Sequence, residues 1–355
     1  MRSPTRTAIT AVLTALILGL AGAIAWRQVQ LDRGLTVRFD FHQPGLRAAR
    51  VTVPGRPHDI VEFEHPERIR RHVTFSVSTD SHGFRGREIA LEKPAGVFRV
   101  MAVGECVTLG VGVDDSETWP AQLEALLRER LPGRTVEVVN AGRTAPPQEI
   151  LGVAQREAFA FSPDVLVVSP GASTVFYGHH TGREPFSLYA PPERYEADLA
   201  ELGVLLARVA AESRARGAHL VFVTPTMNSF FLPDGQRWAD ATLAAGTTLG
   251  VPVLDTTTAF QAEERREGLV LETTAGVQRL LAFHSGRPTP LLEAPVPTDG
   301  HLAPAVRAWL DDHPEVGPAL SIDDNHPNAR GHRLIASLML DLLIGQGWLP
   351  EPSER

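Results

Sequence analysis

From Val97 onward, short apolar runs alternate with longer segments in which apolar residues recur every three or four positions. The runs Val97–Val103, Val136–Val139, Val165–Ser169, Leu220–Thr224 and Val251–Leu254 are valine-rich, and turn-forming residues lie close to their ends. They predict buried strands. Between them lie "WPAQLEALLRERL", "PPQEILGVAQREAFAF" and "YEADLAELGVLLARVAAESRARG", which read as helices, the first opened by Trp119-Pro120 and the third stopped by Gly217. "NARGHRLIASLMLDLLIGQG" forms a final helix. Strands separated by helices predict an α/β fold, a three-layer sandwich around a central parallel sheet of about five strands. The crossovers are then right-handed, and a site is expected at the carboxyl ends of the strands.

The pattern differs on either side of this core. Ala8 to Trp26 carries no charge and is bounded by Arg6 and Arg27. At 1.5 Å per residue it reaches across a hydrocarbon core of about 30 Å. Residues 1–27 therefore read as a single-pass membrane anchor with the domain on the extracytoplasmic side. The alternative is a signal segment cleaved near Ala21-Gly22-Ala23 and a secreted domain, which the length of the apolar stretch disfavours. Residues 28–75, broken by Gly34, Pro44, Gly45, Pro54, Gly55 and Pro57, read as a stalk and N-terminal extension. Residues 76–348 form the α/β domain, with a long irregular insertion at about 258–322. The proline-rich stretch Pro288–Pro304 within it suggests a lid or binding loop.

Composition narrows the chemistry. The 355 residues carry a net charge of −8, which offers no basic face to nucleic acid. The single cysteine excludes intrachain disulfides and cysteine-based zinc clusters. Gly110-x-Gly112 lacks the rest of a dinucleotide-binding loop, and His179-His180 has no companion at metal-ligand spacing. No cofactor or metal is expected, and the sequence does not specify an oligomeric state.

Four stretches fall at the predicted strand ends: "GECVTLG", "NAGRT", "SPGAST" and "DDNHPNARGH". They supply a nucleophile, glycine turns, small hydroxyl residues and an Asp-x-x-His, the parts that acyl transfer requires. In this order the stretches resemble the blocks of the SGNH (GDSL-type) hydrolase superfamily. The resemblance covers about Thr79 to Ile344, and "DSHGFRG" resembles a leader of membrane-associated members. It implies that Cys106 stands where the family has its nucleophilic serine, with His326 as general base and Asp323 orienting the imidazole. Asp324 is the alternative acid. It further implies that the N–H groups of Cys106 and Gly142 hold the oxyanion, with Ser173 in place of the family's asparagine. Glu105 replaces an aspartate, and His332 reads as a surface or packing residue.

A thiol at a helix N-terminus beside an imidazole is a competent nucleophile; elsewhere a lone cysteine is usually a small apolar packing residue. The sequence thus predicts a membrane-anchored ester hydrolase or acyl (O-acetyl) transferase acting on an acylated glycan or lipid through a Cys-His-Asp triad. Two altered block positions support the alternative, a catalytically degenerate protein of the same fold that binds a ligand or partner.

Overall fold

The computed structural model describes residues 44–47, 49–54, 72–143, 147–171, 192–226, 233–296, 303–313, 319–322 and 326–351. At its centre lies a five-stranded sheet of β3 (Val97–Gly104), β4 (Thr135–Gly142), β5 (Val165–Ser169), β6 (His219–Val223) and β7 (Val253–Leu254). The spatial order is β4-β3-β5-β6-β7 and every pairing is parallel. The predicted runs are all present, each shifted or resized at its ends by a few residues except Val165–Ser169. β3 runs on to Gly104, β4 from Thr135 to Gly142, and β7 keeps only two residues.

Alternation along the strands feeds two cores. On one face Met101, Val103, Leu166, Val168 and Phe222 pack under helices α3 (Pro147–Arg156), α4 (Pro192–Arg216) and α5 (Pro233–Leu249). On the other, Val100, Ala102, Val167 and Val221 meet α2 (Trp119–Arg130) and α8 (Ala329–Gly345), through Leu123, Leu127, Ile335 and Met339. A strand covered on both faces should be wholly apolar, yet Arg99 lies fully buried in β3. Its register partner on β4 is Glu137, whose carboxylate lies 2.7 Å from Nη2, and Phe161 O accepts from Nη1 at 2.7 Å. Paired charges of this kind are tolerated inside because each finds a partner.

The edge strand β4 is closed to further pairing. Glu124 Oε2 accepts the Val138 N–H at 2.7 Å, and the Arg85 N–H donates to Asn140 O at 3.0 Å. Capped edges of this kind resist intermolecular strand addition.

Two regions differ from their sequence reading. The stretch assigned to a stalk contains β1 (Ala49–Pro54), paired antiparallel with β2 (His72–Val77). Val51 and Phe75 from this pair are buried in the α2/α8 core, so the body begins before residue 76. The insertion is ordered rather than irregular. After α6 (Thr256–Glu267) come β8 (Leu269–Thr274), β9 (Val277–His284) and β10 (Arg287–Pro295), an antiparallel sheet, followed by α7 (Pro304–Asp312). The hairpin turns are Ala275-Gly276 and Ser285-Gly286, with φ positive at all four residues, the twist-matched two-residue geometry. Leu269, Leu280, Ala294, Val306 and Leu310 form a third, separate core here. Its ends meet: a Cβ on Gly268 would stand 3.2 Å from Ala319 Cβ. The segment Ala8–Trp26 lies outside the described residues, among which no helix is long and apolar enough to cross a membrane.

Gly45 N–H donates to Asp80 O, and Leu46 exchanges hydrogen bonds with Thr79, so the body reaches back to residue 45. A chain starting at Pro44 should fold cooperatively and stay soluble. One starting at residue 56 loses β1, and urea titration should show it about 2–4 kcal/mol less stable, the usual cost of stripping large apolar side chains from a core.

Candidate active site

Cys106 opens α1 (Cys106–Leu109), a single turn at the carboxyl end of β3. Glu105 precedes it in extended conformation, and its carbonyl accepts the Leu109 N–H at 2.9 Å. Cys106 O accepts from both Gly110 and Val111, at 2.8 and 3.0 Å, which stops the helix after one turn. The cysteine is 7% exposed.

Glycines lie at three close approaches around this turn, two where other segments meet it and one where the loop that follows it receives Ile322. Gly142, at the end of β4, runs beside α1 so closely that a Cβ would stand 2.1 Å from Leu109 N. Gly171, just past β5, has φ +71, and a Cβ there would collide with the buried Glu105 carboxyl at 2.0 Å from Cδ. Gly112 has φ +91, and Ile322 Cδ1 lies 1.9 Å from where its Cβ would be. Only glycine fits such approaches. The "NAG" and "SPG" stretches therefore owe their glycines first to packing around Cys106.

Ile322 belongs to the segment that carries His326. Its N–H donates to His326 O at 2.9 Å, Ser321 bridges to Pro327, and the Asn328 N–H donates to Leu320 O at 2.8 Å. Asn328 also caps α8, its Oδ1 accepting from Gly331 N–H at 3.0 Å while Nδ2 donates to Ala319 O at 3.2 Å. The segments bearing Cys106 and His326 are thus docked on one another, with His326 half-buried. Asp323, Asp324, Ser173 and His179-His180 lie outside the described residues. The Gly142 N–H expected to face an oxyanion donates instead to Asn140 Oδ1 at 3.0 Å. An oxyanion at that position has to displace the side chain of Asn140.

The "DSHGFRG" leader holds a residue that the sequence reading passed over. Arg85 is buried, and all its nitrogens are engaged. Nε donates to Asp115 Oδ1 at 2.7 Å. Nη1 donates to the carbonyls of Leu109 and Gly110, at 2.7 and 2.6 Å. Nη2 donates to those of Ser76 and Val113, at 2.9 and 2.7 Å. Five donors meet five acceptors, four of them in the stretch that follows Cys106. Burial draws the Arg85 pKa down, and the Asp115 carboxylate works against that shift.

His332, read as a surface or packing residue, proves to be a fully buried packing residue on α8. Its Nδ1 accepts the Trp119 N–H at 3.1 Å, one of the donors that the first turn of α2 leaves free. This role needs the neutral ring. Burial first, then the charge of Arg85 and that of His326, hold its pKa down to about 3.

Among the described residues no group of three or more His, Cys, Asp or Glu side chains is placed to hold a metal ion. No protein-family model and no curated protein matches the sequence. Solved structures of similar shape include a lipase/acylhydrolase from Enterococcus faecalis, 14% identical with a TM-score of 0.43, over 73% of this chain and 100% of that one. An acetylxylan esterase from Geobacillus stearothermophilus is 16% identical with a TM-score of 0.44, over 72% of this chain and 97% of that one. Likeness at this level leaves the chemistry to be argued from the residues themselves.

Two outcomes follow from the geometry. Arg85→Met strands four carbonyls and a carboxylate, and should cost about 3–5 kcal/mol in urea denaturation, the usual penalty for breaking a buried ionic network from one side. Because His332 is neutral when folded and takes up a proton near pH 6.5 when unfolded, stability should be full above that pH and fall as pH drops toward 3. The loss from this one group is about 2–3 kcal/mol by pH 4.5. His332→Gln, which keeps an acceptor for Trp119 but does not titrate, should remove that part of the acid dependence in denaturation curves taken between pH 4 and 7.

Proposed function

We propose that this protein is an ester hydrolase or acyl transferase in which Cys106 attacks the acyl carbonyl. The observation that carries the reading is the docking of the Cys106 turn and the His326 segment on each other at the carboxyl rim, through Gly112 and Ile322. The ends of β4 and β5 and the segment bearing His326 each approach the stretch Glu105–Gly112 that carries the thiol. The order of the sequence blocks supports the same chemistry through their resemblance to SGNH hydrolases.

In this reading His326 takes the thiol proton as sulfur bonds to the carbonyl carbon. Collapse of the tetrahedral adduct breaks the ester C–O bond, and His326 returns the proton to the leaving alkoxide. The resulting thioester passes its acyl group to water in a hydrolase, or to an acceptor hydroxyl in a transferase. Asp323 orients the imidazole. The Cys106 N–H, the Gly142 N–H after release from Asn140, and the Ser173 hydroxyl share the oxyanion. If Ala8–Trp26 anchors the domain outside a membrane, the accessible esters are those of acylated glycans and lipids.

A second reading, a protein of this fold that binds a ligand or partner without turnover, is favoured by one observation. The Gly142 N–H already has a partner in Asn140.

Assay of p-nitrophenyl acetate hydrolysis separates the two. The native protein should turn the ester over, Cys106→Ala should abolish the reaction, and His326→Ala should lower kcat by about 10²–10⁴-fold. Turnover that survives Cys106→Ala rules out the thiol mechanism. No turnover, combined with iodoacetamide alkylation of Cys106 no faster than a model thiol, leaves the binding protein.

A further inference from the structure

Ile322 occupies a position that neither the sequence blocks nor the acyl-transfer scheme gives any part. It is 7% exposed, and its Cδ1 rests on the backbone of Gly112. We infer that Ile322 is a positioning residue that sets the register of His326 against Cys106, an inference that rests on His326 acting as the base.

The floor beneath Ile322 is fixed. Arg85 Nη1 holds Gly110 O and Nη2 holds Val113 O, so the backbone is clamped on both sides of Gly112. Gly112 itself has φ +91 and no room for a Cβ. A peg resting on such a floor has one seat. Displacement at Ile322 is also transmitted directly, because its N–H donates to His326 O at 2.9 Å. The backbone of the base moves with the peg.

The helix that follows is anchored separately. His332 holds the Trp119 N–H, and Ile335, Ala336, Met339 and Leu343 sit in the core below the sheet. Loss of the peg therefore removes the side-chain contact that seats the His326 segment on the loop after Cys106, while α8 stays in place. Upstream, Ala319 and Leu320, which follow the inserted β8–α7 unit in sequence, pair with Asn328. A displacement of about 1 Å in a catalytic group typically costs on the order of 10²-fold in rate.

Two full-length variants test this. Ile322→Val removes only Cδ1, the atom over Gly112, and should fold as the native protein does. Its kcat on p-nitrophenyl acetate should fall by about 3–10-fold, and that of Ile322→Ala by about 10–100-fold, with KM within about twofold for both. A purely structural role would lower the midpoint of unfolding without this split. His326→Ala should cost far less in the Ile322→Ala background than in the native protein, because the imidazole is already out of register. A second readout needs no turnover. The pH profile of Cys106 alkylation by iodoacetamide should differ between the native protein and His326→Ala, and Ile322→Ala should follow the His326→Ala profile. A native kcat and a native profile in both Ile322 variants, with His326→Ala still impaired, overturn the role of Ile322 alone. If His326→Ala changes neither readout, the base assignment fails and the inference falls with it.

Discussion

The site depends on one buried charge meeting its full complement of acceptors. A guanidinium inside a protein is costly unless each N–H is bonded, and Arg85 meets that condition with four backbone carbonyls and one carboxylate. The same condition makes it an organiser. Carbonyls from Leu109 to Val113 converge on it, which bends the chain after Cys106 into one shape. Through Ser76 O and the backbone bond to Asn140 it also joins β2 and β4 to that bend. Lysine cannot replace it, because a point charge with three donors has no planar fork to span these positions.

Around this clamp, chain segments meet at glycines, whose missing side chains let a neighbour come close. Gly142 lies against Leu109, Gly171 against Glu105 and Gly112 against Ile322. Gly142 meets the backbone of Leu109, while Gly171 and Gly112 make room for the Glu105 carboxyl and the Ile322 side chain, so a methyl group added at any of the three collides with a neighbour. That suits acyl transfer, where the attacking atom and the proton acceptor belong to different segments of the chain.

Much of the fold was legible because buried parallel strands announce themselves as valine runs between turn residues. The strand ends were less so: Asn140, Ala141 and Gly142 extend β4 although they are poor strand formers, because β3 alongside them and Arg85 at the edge satisfy their backbone. The inserted sheet escaped detection for a physical reason. Ala275-Gly276 and Ser285-Gly286 make hairpins normally signalled by Asn-Gly or Asp-Gly, and Pro288 and Pro290 disguise β10. Those prolines sit on an outer strand that shifts register between Pro290 and Leu292, where a missing N–H costs nothing to the ladder. Of the candidate site, the glycines and the approach of the Cys106 and His326 segments were legible. Arg85 was not, since an arginine in a polar, glycine-containing stretch looks like a surface residue until five acceptors surround it. Nor was the depth of His332, which only the packing of α8 on α2 reveals.

The bond between Trp119 and His332 spans 213 positions of sequence, and it has a consequence for how the molecule is made. The face of the sheet under α3, α4 and α5 is built from residues up to Val253, so it can condense before α8 is made. The opposite face must wait for α8, which follows every other described element in the chain. Until then the loop after Cys106 lacks its peg and Trp119 lacks its acceptor on His332, and a large apolar surface stays open to chaperones or to misassociation. Closing so long a loop is slow, so folding should end with a late docking step. In the proposed scheme the thiol gains its base only once the segment that leads into α8 has docked.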